Sequence, residues 1–306
     1  MKIYLKIIKW HFLLLLLILI TNTVSADEST VQLKWQIPVD NLYYFTNFGQ
    51  ANGEENYFEL NVDKILDEKK FNGEVEDRIS KIQFPEEANM ITVLEELSNG
   101  NIKSTSYLQN FTLPVSENEL PDEKAREEAK KFEEMMNKVP QLQGVINSSG
   151  KILSFYLPQR QKNLLALMFE LPKDPVKTGD SWDINFICLE LGAGFMEDAA
   201  DRVNIVRFTD LKRNVQMDQI ATLEYLLTEK VSGSMSNPMT QQKIPTEMTC
   251  SYIGRHEFNI DQGRWENING EFQIYSTGFM NSKVKQNLAM KPIEQLPEGI
   301  NHKSGN

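Results

Sequence analysis

The sequence predicts an α+β, mainly β fold: a curved antiparallel sheet, or sheets, with one amphipathic helix and one or two short helices packed on them. Three observations predict it. Short runs of alternating apolar and polar residues recur along the chain, joined by turns built on Gly, Asn and Asp. A single long segment carries a helical apolar stripe. Strand–helix alternation of the kind that builds parallel sheet is missing, so consecutive strands are expected to meet through short turns.

Residues 1–26 stand apart. Lys2, Lys6 and Lys9 precede the apolar run Phe12 to Ile20 and then TNTVSA, the pattern of a secretory signal peptide. Val24 and Ala26 occupy the small-residue positions, so cleavage is expected after Ala26. The apolar run is shorter than the roughly 20 residues that a membrane span needs. An uncleaved N-terminal anchor is the alternative. The mature chain is expected to be exported, periplasmic or extracellular, and not an integral membrane protein. Losing three lysines and no acid takes the net charge from −11 to −14. Such a chain repels phosphate backbones, which argues against nucleic acid as a partner.

Residues 27–291 are expected to form a single β-rich domain, and 292–306 a disordered tail with little to bury. The domain opens with VQLKWQIP, where Val31, Leu33, Trp35 and Ile37 alternate with Gln32, Lys34 and Gln36. That is a strand with one wet face. YYFTNF and NYFELNV follow as aromatic-rich strands, then a hairpin about Ser98-Asn99-Gly100-Asn101. PDEKAREEAKKFEEMMNKVP is the helix. Asp122 is placed to cap its first turn, and Ala125, Ala129, Phe132, Met136 and Val139 form a narrow apolar stripe. Such a stripe either docks a partner or lies on the protein's own sheet.

A second hairpin turns about Ser148-Ser149-Gly150, and the run Leu164 to Phe169 suits a short helix. DRVNIVRFTDLKR and ATLEYLLTEK are extended, and the polar stretch SGSMSNPMTQQKIP is a loop. A long hairpin then turns about Asp261-Gln262-Gly263. The two glycine-centred hairpins look alike. Either the domain holds two similar halves meeting near residues 140–175, or both hairpins use common turn chemistry.

LPKDPVKTGDSW, Leu171 to Trp182, holds a Gly-Asp-Ser triplet of the kind found around esterase nucleophiles. A catalytic Ser181 needs a base, and the mature chain offers only His256 and His302. His256 shares strand parity with Tyr252, Phe258 and Ile260, which turns its ring into an apolar face. Neither histidine follows an Asp by three residues, and no Gly-x-Ser-x-Gly elbow surrounds a serine. The structural alternative is a turn at Gly179-Asp180, set up by Pro175, that plants Trp182 in a core.

No cofactor or metal is expected. One ordered histidine is too few for zinc. DAAD, Asp198 to Asp201, lacks the EF-hand pattern and suits a solvated helix start. LGAGF lacks the phosphate-loop ending. Cys188 and Cys250 either pair, as an oxidising compartment permits, or remain two buried free thiols.

GVINSSGKILSF, LPKDPVKTGDSW, ATLEYLLTEK and GRHEFNIDQGRW, in that order, make the chain from Leu33 to Tyr275 resemble a family of exported Bacteroidota-type proteins with no established activity. The Pro-Val…Gly-Asp-Ser-Trp segment is its most distinctive part. By looser analogy, the resemblance implies a curved sheet similar to the LolA-type lipoprotein carriers, whose concave face holds acyl chains. Ala26-Asp27 stands where a tethered lipoprotein has a Cys. The functional expectation is a non-enzymatic exported protein that binds a hydrophobic, lipid-like or peptide ligand in a sheet groove, or an envelope protein. The alternative is a serine hydrolase using Ser181 and His256.

Overall fold

The computed structural model describes residues 30–38, 41–51, 56–60, 87–113, 122–137, 139–155, 165–189, 191, 194–237, 242–298 and 300. The leader read in residues 1–26, its cleavage point and His302 lie outside the described residues.

Along the chain come β1 (Leu42–Gln50), β2 (Tyr57–Leu60), β3 (Glu87–Glu96), β4 (Ile102–Gln109), α1 (Glu123–Met136), β5 (Pro140–Ile146) and β6 (Ile152–Phe155). There follow α2 (165–169), β7 (Ser181–Asp183), β8 (Phe195–Arg213), β9 (Gln219–Ser236), β10 (Lys243–Asn259), β11 (Arg264–Thr277) and β12 (Met280–Ile293). All twelve strands belong to one antiparallel sheet, in the order β6-β5-β4-β3-β1-β12-β11-β10-β9-β8-β7. β2 prolongs the line of β1 along β12. Most neighbours in space are neighbours in sequence, as the short turns imply. Within residues 140–175, β5 and β6 form one edge of this sheet, and the next strand, β7, lies at the other edge.

Laid flat, ten strand spacings of about 4.8 Å would set β6 and β7 about 48 Å apart. Instead, Ile152 of β6 and Trp182 of β7 line a single crevice. The sheet is therefore curled most of the way to a barrel, yet it is not closed.

Three pieces of chain fill the concave face: residues 31–37, α2, and a strap from Leu171 to Leu189 that is interrupted by the edge strand β7. VQLKWQIP alternates in burial as its pattern implies, with Leu33 and Trp35 inward, but it forms no ladder beyond the bridge of Val31 to Val176. Its backbone is taken up by the two glycine-centred turns. Trp35 N–H donates to the Ser148 carbonyl and Gln36 N–H to that of Gly263, each at 2.8 Å. Gly150 and Gly263 both have positive φ, 76° and 60°. A Cβ on Gly150 would overlap the Phe169 carbonyl, and one on Gly263 would sit 2.6 Å from the Gln36 nitrogen. Only glycine meets both demands.

α2 spans residues 165–169, too short to satisfy its own final carbonyls. Two buried indoles do so instead. Trp35 Nε1 donates to Phe169 O at 2.8 Å, and Trp265 Nε1 to Met168 O at 2.5 Å.

α1 starts where the sequence indicates, with Asp122 Oδ1 accepting from Ala125 N–H at 2.8 Å. Its stripe is not buried under the sheet. No α1 residue is buried, and Phe132 instead meets Phe111 with ring centroids 6.3 Å apart. Glu133 and Asn137 accept from the backbone of Leu113 and Phe111, so the helix rests on the chain leaving β4.

Other elements depart from expectation. Asp198–Asp201 lie within β8, Asp198 at a bulge and the other three paired with β9, and start no helix. Both ends of the stretch read as a polar loop are strand, because β9 and β10 stay paired out to Ser236 and Lys243. Pro292 and Ile293, assigned to a tail, belong to β12 and pair with Tyr44 and Tyr43.

Candidate functional site

Ser181 and His256 do not meet. Ser181 pairs with Arg207, Arg207 with Glu224, and Glu224 with Arg255. Three strand spacings, about 14 Å, therefore separate Ser181 from the row of Arg255. Ser181 is exposed on the outer face, whereas His256, next after Arg255, points inward and is fully buried. Its ring stacks on Tyr225 at 3.9 Å, and Nε2 shares a 2.8 Å hydrogen bond with the Tyr252 hydroxyl. Burial pulls its pKa down to about 3. An imidazole so enclosed cannot take a proton from an outer-face hydroxyl. The alternative hydrolase pairing is thus corrected.

The segment around Ser181 has a structural task. Gly179 has φ 96°, the Lys177 N–H donates to Asp180 Oδ2, and the Gly179 N–H and Asp180 carbonyl exchange hydrogen bonds with Phe208 of β8. The turn directs Trp182 inward, where it is half-buried against the core, with Nε1 hidden and lacking an acceptor among the described residues.

From β7 the strap crosses back over the concave face to β10. Asn204 Nδ2 donates to the Phe186 carbonyl at 2.7 Å, and the Leu189 N–H donates to buried Glu229 at 2.8 Å. Arg202 Nε reaches the other Glu229 oxygen at 2.7 Å. Cys188 and Cys250 are joined as a disulfide with Cα atoms 5.9 Å apart, over a sequence separation of 62. Closing a loop of that length is worth about 4 kcal/mol in chain entropy. Replacing both cysteines with serine should lower the free energy of unfolding by about 3–4 kcal/mol in urea titrations. An unchanged midpoint would mean that the strap's other contacts hold it unaided.

Where the strap, α2 and the two sheet edges converge there is a crevice of about 780 Å³. Ile152, Ala166, Leu171, Val176 and Trp182 supply its apolar floor. Lys151, Lys173, Asp174, Asp183 and Asn185 form an exposed rim. Glu170, directly after α2, stands in the wall. Burial holds its carboxyl above the usual carboxylate range, opposed by the Asn185 backbone N–H and the Lys151 charge.

A second concavity, of about 860 Å³, lies on the outer face. Ile205, Leu226 and Ile253, register neighbours on β8, β9 and β10, leave it apolar and are 39, 48 and 60% exposed. Arg207, Glu224 and Arg255 form the adjoining row.

Among the described residues no group of His, Cys, Asp and Glu is placed to hold a metal, Asp198–Asp201 included. None of their helices is long and apolar enough to cross a membrane. The residues missed by sequence reasoning are Glu170 and Ile152. Nothing marks Glu170 among 43 acids, and Ile152 reaches the crevice only because the sheet curls. No protein-family model, curated protein or solved structure matches the chain.

Proposed function

We propose that this is a non-enzymatic exported protein that binds a lipid-like ligand, holding the ligand's chain in the crevice at the mouth of its unclosed sheet. The observation that carries this reading is the crevice. Its volume of about 780 Å³ falls within the roughly 300–1,000 Å³ typical of small-molecule sites, and it joins an apolar floor to a polar rim. The site is at the mouth and not along the concave face, because α2, the strap and residues 31–37 occupy that face. The leader pattern in residues 1–26 supports export. The distance between Ser181 and His256 supports a role without hydrolysis.

Native mass spectrometry of protein purified from its own envelope tests the proposal. The expected spectrum carries the mass of one lipid-like molecule, lost in Ile152→Glu, which puts a charge on the crevice floor. A bare chain, a bound peptide in place of lipid, or lipid retained equally in Ile152→Glu would refute it.

A further inference from the structure

Depth separates the charges of the crevice. Lys151 and Lys173 are exposed at the rim, where water already solvates their ammonium groups. Glu170 is partly stripped of water, with one backbone N–H from Asn185 and, among the described residues, no ion pair. A desolvated carboxylate is poorly compensated by one neutral donor. The Trp182 side chain lines the same space.

A carboxylate and an indole beside an aliphatic floor are complementary to an ammonium on an aliphatic chain. An anionic head would face Glu170, Asp174 and Asp183, with only the two solvated rim lysines in its favour. From this juxtaposition we infer that the crevice selects a primary ammonium on an aliphatic chain, the ammonium held by Glu170 and the chain lying on Ile152, Leu171 and Trp182. The inference rests on the crevice being the ligand site and adds the chemistry of the head group.

Calorimetric titration of the mature protein at pH 7.5 with octylamine, octanol and octanoate separates the two. Octylamine should bind about tenfold or more tighter than octanol, the scale of one charge-assisted contact, and octanoate no tighter than octanol. In Glu170→Gln the octylamine affinity should fall to that of octanol, while octanol binding stays as in the wild type and so reports an intact crevice. General attraction of an acidic protein for cations would survive that single substitution. Equal binding of octylamine and octanol, preference for octanoate, or an amine preference that persists in Glu170→Gln overturns the head-group inference and leaves the crevice standing. Binding of none of the three overturns both.

Discussion

Acidification below pH 6.5 should destabilise the protein steeply, with His256 alone removing several kcal/mol. The ring is sealed between Tyr225, Tyr252 and Trp265, and its Nδ1 has no partner among the described residues. Burial lowers its pKa from 6.5 to about 3. In the unfolded chain the imidazole takes up a proton near pH 6.5, whereas in the folded chain it does so only near pH 3. Between those values the unfolded state holds the extra proton, so stability is fully present above pH 6.5 and drains away towards pH 3. At 1.36 kcal/mol per unit, the whole window amounts to something on the order of 4–5 kcal/mol.

Two other groups contribute differently. Asp218 is held below the usual range by hydrogen bonds from the Asn259, Gln262 and Asn214 side chains, so its contribution is lost only as pH falls through the carboxylate range. Glu170 is shifted upwards and acts in the opposite sense, favouring the folded state as it protonates. Because Glu170 acts in the same way in both proteins, the difference between wild type and a His256 variant from pH 6.5 to 5 isolates His256. His256→Leu should flatten the dependence of the urea midpoint on pH there. It should also lose about 1 kcal/mol at pH 7.5, because the Tyr252 hydroxyl loses its partner. A wild-type midpoint that is level from pH 7.5 to 5, or an unaltered slope in the variant, would contradict this account.

The inward turn of His256 was legible from parity alone, because alternation along a strand reports which face is wet. The same rule placed Leu33 and Trp35 correctly while misassigning their segment to a strand. A period of two measures burial and does not say which backbone supplies the hydrogen bonds, which here are the turns at Ser148 and Gly263. The hairpins about Gly100, Gly150 and Gly263 were readable because turn chemistry is local. β12 was not. Its Lys, Asn and Ala residues are depleted in strands, yet β1 and β11 claim it from both sides. The N-terminal half of β8 is extended likewise because β9 pairs with it, in spite of Asp198–Asp201. The crevice was out of reach for a further reason. It exists only because small twists accumulated over eleven strands bring β6 round to β7, and no local pattern encodes that sum.

Replacing Trp265 with alanine should cost about 4–8 kcal/mol and should weaken the crevice as well as the core. Trp265 is fully buried and meets Phe258 and His256 edge-on, with ring centroids 5.0 and 5.3 Å away. Removing so large a side chain typically costs about 3–5 kcal/mol. The Met168 carbonyl, which accepts from Trp265 Nε1, would also be left buried and unpaired, adding about 1–3 kcal/mol if the site does not relax. That carbonyl belongs to α2, two residues before Glu170, so the damage travels to the crevice wall. Faster hydrogen exchange at the Glu170 N–H, which is bonded to the Ala166 carbonyl at 3.0 Å, should accompany the loss of stability. Trp265→Phe retains an aromatic ring without the N–H and should fall between the two. Trp182→Ala should behave differently: its half-buried side chain lines the crevice, so ligand binding should suffer more than folding. If Trp265→Ala unfolds with a loss below about 2 kcal/mol, or leaves the Glu170 amide as protected as before, the two tryptophans do not hold α2 in the concave face and the crevice wall must be supported by other contacts.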